Sequence, residues 1–279
     1  MYQRDLFKPV FLFRRRGFVA LGLLLSLSAG CQQHDQRVRA DQGGQFESPI
    51  EPRWSVLGNS VQGRPIACLA FGDGEDCVLI MATIHGDEDA GTPLVRRLAA
   101  HLADHPALAK GRRILLIPVV NPDGRVNRSR TNARGVDLNR NYPAANYQRL
   151  ARHGDAALSE PETVAISGLL DEHRPRRIVS IHQPLRSGHA CIDYDGPADA
   201  LAAAMAAHCR LPIEKIGSRP GSLGSYAGLT LGVPIITLEL PKDAGAMSAD
   251  EIWSRWGRMM LAAIAFPEAI PTQAADVSH

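Results

Sequence analysis

The tetrapeptide His85-Gly86-Asp87-Glu88 closes the apolar run Cys77-Val78-Leu79-Ile80-Met81-Ala82-Thr83-Ile84. An imidazole and a carboxylate three residues apart, where a buried strand gives way to a helix, can turn toward one point. That point is the crevice at the carboxyl end of the strand, where open α/β sheets take ligands. Two of the three protein ligands of a catalytic zinc, with a fourth position left open, are therefore available here. The pattern is short enough to arise by chance, so it gains weight only if the chain also supplies a third ligand, a base and an anion site.

His182 follows a second apolar strand-like stretch, Arg177-Ile178-Val179-Ser180-Ile181, and runs into Gln183-Pro184. Alone it reads as a hydrogen-bonded turn histidine; with His85 and Glu88 it completes a His/Glu/His ligand set. His101, His105, His173 and His208 fall on or beside helix-like stretches and read as surface residues. Glu239 follows Val233-Pro234-Ile235-Ile236-Thr237-Leu238, and a carboxylate near the end of a buried strand is costly unless paired or hydrogen-bonded. It reads either as a Glu that has reached solvent or as a general base beside a metal. The turn Asn121-Pro122-Asp123-Gly124-Arg125 leads into a loop carrying Arg130, Arg134 and Arg140. Such a loop is either a solvated basic face or a grip for a carboxylate or a developing oxyanion.

These residues hang on alternating strand-like and helix-like segments. Ile66–Phe71 and Cys77–Ile84 read as strands joined by a Gly/Asp turn, and Asp87–Leu102 as a helix with Leu94, Leu98 and Leu102 on one face. Arg113–Val120, Arg177–Ile181, Ala190–Asp193 and Val233–Leu240 read as further strands; Ser159–His173, Pro197–Arg210 and Ala249–Phe266 read as helices. The alternation predicts an α/β fold with a mixed central β-sheet and helices on both faces.

Residues 1–30 stand apart: Arg14-Arg15-Arg16, an apolar stretch from Phe18 to Leu27, then Ser28-Ala29-Gly30 before Cys31. This is the layout of a secretory signal, and its apolar part is short for a permanent membrane span. Ser-Ala-Gly-Cys is similar to a bacterial lipobox, which implies a lipidated Cys31, and Gln32 after it implies the outer membrane. Arg15-Arg16-Gly17-Phe18 also resembles a twin-arginine export signal. Residues 31–52 have the polar composition of a flexible tether, residues 53–266 form the predicted catalytic domain, and residues 267–279 read as a tail. The whole chain has 31 Lys and Arg against 29 Asp and Glu; without the five basic and one acidic residues of the leader the balance is 26 against 28, a formal charge of −2. That balance gives no reason to expect nucleic acid as a partner. Besides Cys31 there are Cys68, Cys77, Cys191 and Cys209, which could form two disulfides, a Cys68–Cys77 hairpin bridge among them, or stay as thiols.

His85-x-x-Glu88, Asn-Pro-Asp-Gly from Asn121, Gly-Val-Asp-Leu-Asn-Arg-Asn from Gly135, Ser-Ile-His182 and Thr-Leu-Glu239-Leu follow one another in the order of the zinc carboxypeptidase family, which the chain resembles over residues 80–240. Ser-Ile-His-Gln-Pro-Leu and the later Gly-Ser-Leu-Gly-Ser-Tyr-Ala-Gly are similar to its murein peptide amidase branch. The resemblance implies one zinc ion held by His85, Glu88 and His182, with Glu239 as general base and Arg130 stabilising the oxyanion. Asn139 and Arg140 would hold the substrate's terminal carboxylate, and Asp137 would orient the loop. It implies hydrolysis of a short peptide with a free carboxylate, a murein peptide cut at the γ-D-glutamyl–diaminopimelate bond. In that case an acid in the pocket should meet the diaminopimelate ammonium; Asp193 and Asp195 are placed for this, or else are solvated loop acids. One departure stands out: the family's mobile tyrosine has no counterpart in Ile216-Gly217-Ser218-Arg219-Pro220-Gly221-Ser222, and Tyr226 falls after it. A deacylase of the desuccinylase/aspartoacylase type and a non-catalytic envelope peptide-binding lipoprotein are the rival readings. The complete Asp-Leu-Asn-Arg-Asn loop speaks against the first and an intact Glu239 against the second.

Overall fold

A computed structural model describes residues 53–184 and 189–271. The leader, Cys31 and the tether lie outside the described residues, as do residues 272–279 of the tail.

Seven strands form one sheet in the order β1-β2-β4-β3-β5-β7-β6. They are β1 (Arg53–Asn59), β2 (Pro65–Phe71), β3 (Asp76–Ala82), β4 (Arg112–Ile117), β5 (Arg177–His182), β6 (Cys191–Asp195) and β7 (Ile235–Glu239). The central strands β4, β3, β5 and β7 run parallel, while β1, β2 and β6 are antiparallel to their neighbours. The expected mixed sheet is therefore present. Strands covered on both faces should be continuously apolar, and β3 is: Val78, Ile80 and Ala82 face one core, Cys77, Leu79 and Met81 the other.

Helices α1 (Gly91–Asp104), α4 (Asp199–Ala206) and α5 (Ala249–Ala265) contribute to the first core; α3 (Pro161–His173) contributes to the second. Leu94, Leu98 and Leu102 are fully buried along α1, as their spacing demands. Helix α5 starts at a capping box in which the Ser248 side chain accepts from the Glu251 N–H and Glu251 accepts in return from the Ser248 N–H.

The structure corrects four expectations. The Gly/Asp turn after β2 does not close a hairpin, because β4 lies between β2 and β3. Cys68 and Cys77 thus sit on strands that are not neighbours, and they, Cys191 and Cys209 are free thiols. Helix α1 starts at Gly91, a turn later than expected, since residues 85–90 are occupied in building the site. The Asn121 turn is in fact the short helix α2 (Pro122–Asn127), capped by Asn121 Oδ1, which accepts from the Gly124 N–H at 2.8 Å. His101, expected at the surface, is buried against His105 and Trp253. Periodicity did not reveal β1, an exposed edge strand with little apolar alternation.

Topology places the site. From β3 the chain passes through α1 to β4 on one side, then through α3 to β5 on the other. The β3/β5 boundary is therefore a switch point, with a crevice at the strands' carboxyl ends.

Candidate active site

Strand β3 delivers its two side chains through a distorted turn. Thr83 adopts φ 55°, a left-handed conformation that a β-branched residue seldom takes. It is held there by a 2.8 Å Thr83–Thr92 hydroxyl contact and by the Asn121 N–H donating to its carbonyl. Gly86 then passes so close to α2 that a Cβ would lie 1.9 Å from the Gly124 backbone. The Asn-Pro-Asp-Gly motif thus acts as a wall against which the His85 turn is pressed. Its Asp123 faces away from the site, accepting from the Ser60 hydroxyl, the Gln62 N–H and Arg64.

His85, Glu88 and His182 are each at most 5 % exposed, and their ligand atoms lie within 4.8 Å of one another. Glu88 Oε2 is 2.9 Å from Nδ1 of both imidazoles. The opposite ring nitrogens are tied down: His85 Nε2–H donates to Asp137 Oδ1 at 3.0 Å, and His182 Nε2 shares a 3.1 Å hydrogen bond with Ser180 Oγ. The Asp137 bond sets the His85 tautomer so that its Nδ1 lone pair faces the cluster, the usual arrangement around a ligating histidine, while His182 Nδ1 is hydrogen-bonded to Glu88 Oε2. His85 Nδ1 makes no hydrogen bond despite its burial. An orphaned nitrogen, a carboxylate oxygen and a second imidazole nitrogen converging on one point fit a metal ion of zinc's preference.

The electrostatics agree. Burial opposes charge on His85, but the Glu88 and Asp137 carboxylates outweigh it and raise its pKa above the usual histidine value. Glu88, although desolvated, is held well below the usual carboxylate range by the two imidazoles. Asp137 is likewise lowered, by His85 and the Arg130 and Arg140 guanidiniums acting against its burial.

Glu239 is set beside His182 by the register of β7 on β5. Its Oε2 is buried without a hydrogen-bond partner, and desolvation together with Glu88 raises its pKa, with His182 and His85 pulling the other way. A carboxylate poised above its ordinary range and free to take a proton suits a general base.

Arg130 donates from Nη1 to Glu88 Oε1 at 2.7 Å and from Nε to Asp137 Oδ2 at 3.0 Å, so its guanidinium is held against the ligand cluster. Asn139 Oδ1 accepts from the Leu223 N–H at 2.9 Å, which leaves the amide NH2 as its donor. Arg140 is depressed by burial and by its neighbours Arg130, Arg219 and Arg152, with Asp137 counteracting. Crowded guanidiniums of this kind mark a place for an anion. The third residue of Asn139-Arg140-Asn141 does different work: Asn141 is fully buried and bonds the His153 and Ala156 carbonyls and the Thr163 hydroxyl.

All seven residues singled out from the sequence (His85, Glu88, His182, Glu239, Arg130, Asn139 and Arg140) line one cavity of about 300 Å³. Asp193 and Asp195 line it too, and both are buried, which removes the solvated-loop reading. Asp137 orients His85 and Arg130 directly, a larger part than orienting the loop. Tyr226 is packed against Tyr142 and is not in the cavity lining. Sequence reasoning missed Ser180 and Gln183. The Gln183 N–H donates to Glu88 Oε2 at 3.3 Å, and its side-chain oxygen accepts from the Ala90 N–H at 3.1 Å. The only signal for either is its position beside His182.

A family model described as zinc carboxypeptidase matches residues 47–187, a segment that holds His85, Glu88 and His182 and ends before Glu239. Murein peptide amidase A of Escherichia coli strain K12 is 33% identical over 234 residues, covering 77% of this chain and 88% of that relative. The crystal structure of murein-tripeptide amidase from E. coli O157 matches with a TM-score of 0.61 at 31% identity, over 77% of this chain and 92% of that one. Carboxypeptidase A from Helicoverpa armigera matches with a TM-score of 0.60 over 78% of this chain and 70% of its own; at 21% identity that likeness is one of fold. The chain belongs to the zinc carboxypeptidase family and is a zinc-dependent hydrolase.

Proposed function

We propose that this chain hydrolyses an amide bond in a short murein peptide with a free carboxylate, at the γ-D-glutamyl–diaminopimelate linkage, with one zinc ion held by His85, Glu88 and His182. The observation that carries the chemistry is the convergence of His85 Nδ1, Glu88 Oε2 and His182 Nδ1 beside the unpartnered Glu239 carboxylate. The murein substrate is supported by the 33% identity to murein peptide amidase A across most of that relative.

Bound zinc supplies Lewis acidity toward a carbonyl and makes water a better nucleophile at neutral pH. Around it, Glu239 takes the proton from the attacking water and returns it to the leaving amine. Arg130, fixed by Glu88 and Asp137, presents positive charge where the carbonyl oxygen becomes negative. Asn139 and Arg140 hold the carboxylate of the departing residue, which sets the scissile bond relative to Glu239. A protein that only bound peptides would have no use for a buried, unpaired base.

The location of the enzyme belongs to the same proposal. Export through the leader at residues 1–30, lipidation at Cys31 and the tether to residue 52 would place the domain on the periplasmic side of the outer membrane, within reach of murein. Palmitate labelling of the full chain in cells tests this: the expected label disappears in Cys31→Ser, and an unlabelled wild type refutes the anchor. The chemistry is tested by mass spectrometry of murein tripeptide incubated with the mature protein, with and without chelator. Free diaminopimelate is expected only when metal is present; none in either arm refutes the bond assignment.

A further inference from the structure

Sheet pairing stops holding the molecule together where the site begins. The β3/β5 ladder ends at Ala82 and Ile181, and the β5/β7 ladder at His182 and Glu239. One further backbone bond runs from the Leu240 N–H to the His182 carbonyl at 2.9 Å. His85 and Glu88 thus stand on a turn beyond the paired part of β3, and the chain after Glu239 leaves the sheet at once. Among the described residues no hydrogen bond or ion pair joins residues 85–90 directly to residues 240–246.

A single side chain spans that gap. Gln183, next in the chain after the ligand His182, is half-buried and reaches across both flanks of β5. Its Oε1 accepts from the Ala90 N–H at 3.1 Å, at the far end of the turn that carries His85 and Glu88. Its Nε2 donates to the Pro241 carbonyl at 3.5 Å and the Lys242 carbonyl at 3.4 Å, just past Glu239. These partners fix which way the amide points, since the Ala90 N–H only donates and the two carbonyls only accept. The two long bonds are weak singly, but the same nitrogen lies 3.7 Å from where a Cβ on Gly245 would stand. The amide head is therefore seated against the short 3-10 helix Lys242–Ala246. A separate contact comes from the backbone: the Gln183 N–H donates to Glu88 Oε2 at 3.3 Å, and no side-chain substitution removes it.

We infer that Gln183 is a positioning residue whose side chain sets the spacing between the turn bearing two metal ligands and the strand end bearing the base. This rests on the zinc-hydrolase reading of the cavity, and it adds a group that acts through Glu88 and Glu239. A general base must stay within hydrogen-bond reach of the water it deprotonates, and proton transfer tolerates little misplacement. With the amide gone, the two segments are free to shift against each other.

Two substitutions cut the bridge from opposite ends. Gln183→Ala removes the amide, and Ala90→Pro removes the N–H donor at a residue whose φ of −60° suits proline. Zinc affinity, measured by competition with a chromogenic chelator, is expected to fall about tenfold in each. At saturating zinc, kcat for murein tripeptide should fall about tenfold with KM unchanged. Because both changes cut one strut, the double variant should lose no more than Gln183→Ala alone. A merely structural role would lower the unfolding midpoint of the metal-free protein and leave zinc affinity and kcat at wild-type values. Zinc affinity within about twofold of wild type in Gln183→Ala overturns the inference, and so do losses that multiply in the double variant. Full recovery of kcat at saturating zinc overturns it as well, because the base is then correctly spaced without the bridge. If the wild type cleaves no murein tripeptide, the murein reading fails, and the positioning role is decided by the zinc affinities of the two single variants and the double.

Discussion

Strands β3 and β5 carry charge at both ends, and the two ends treat it in opposite ways. Where they begin, Asp76 and Arg177 form a two-pronged ion pair, Nη1 to Oδ1 at 2.7 Å and Nη2 to Oδ2 at 2.9 Å. The same guanidinium donates to the Ala263 and Ile264 carbonyls of α5, where the helix dipole favours a cation. Both side chains of the pair are satisfied from within the chain. At the other end, His85, Glu88 and His182 bring ligand atoms together and Glu239 joins them without a partner. Their charges are arranged for something the chain does not contain. One pair of strands thus holds a closed electrostatic clamp that stabilises and an open cluster that binds, and local completeness of hydrogen bonding tells them apart.

If that contrast is right, substitutions at the open end should remove activity and leave the fold, while substitutions at the closed end should do the reverse. The largest effect is expected from Glu239→Gln. Loss of the base should lower kcat by about 10²–10⁴-fold with zinc content, measured by elemental analysis, unchanged. Retained turnover would mean that another group takes the proton. Arg177→Ala should leave zinc stoichiometry intact but cost about 3–5 kcal/mol in denaturant unfolding, because it leaves Asp76 with only the more distant Arg112, at 3.6 Å, and two helix carbonyls without their donor. A variant as stable as wild type would show that the clamp is decorative and would break the comparison at its closed end.

The sequence made the two ends unequally legible. The open end could be read because chemistry restricts residue type: His85-x-x-Glu88, His182 and Glu239 each follow a strongly apolar strand, and all of them meet in one cavity. The closed end passed unnoticed, since Asp76 and Arg177 are ordinary residues at strand starts and their pairing depends on β3 and β5 being neighbours. The same dependence on neighbour order decides between the two readings of Cys68 and Cys77: sequence proximity allows a hairpin bridge, but β4 enters between their strands and both are free thiols. Helix α1 starts a turn later than its composition predicts because residues 87–90, although helical in composition, are held by tertiary bonds, the Ala90 N–H to Gln183 among them. Edge strand β1 lacks the alternation that burial imposes, so nothing local announced it.

The contrast is sharpened by residues that touch the open end only from behind. Asp137 serves two masters, accepting from His85 Nε2–H and from Arg130 Nε–H. Asp137→Asn keeps the shape but replaces an acceptor pair with an amide, freeing the His85 ring and weakening the hold on Arg130. Zinc affinity and kcat/KM should each fall about 10–100-fold, the range usual for outer-shell partners of metal ligands. An effect on kcat/KM alone would limit Asp137 to Arg130.

Ser180→Ala should be the mildest of the series. The hydroxyl is hydrogen-bonded to His182 Nε2 inside β5 and has no cavity contact of its own, so its loss releases one ring nitrogen in a strand whose backbone is fully paired. Zinc affinity is expected to weaken by less than about tenfold, as for one neutral hydrogen bond, with no change in unfolding midpoint beyond that of a small buried deletion. Because His182 is held on its other side by Glu88 at 2.9 Å, the ring has little room to turn. A loss equal to that of Asp137→Asn would mean that the Ser180 bond to His182, and not the carboxylate pair at His85, is what keeps the open end ready for its metal.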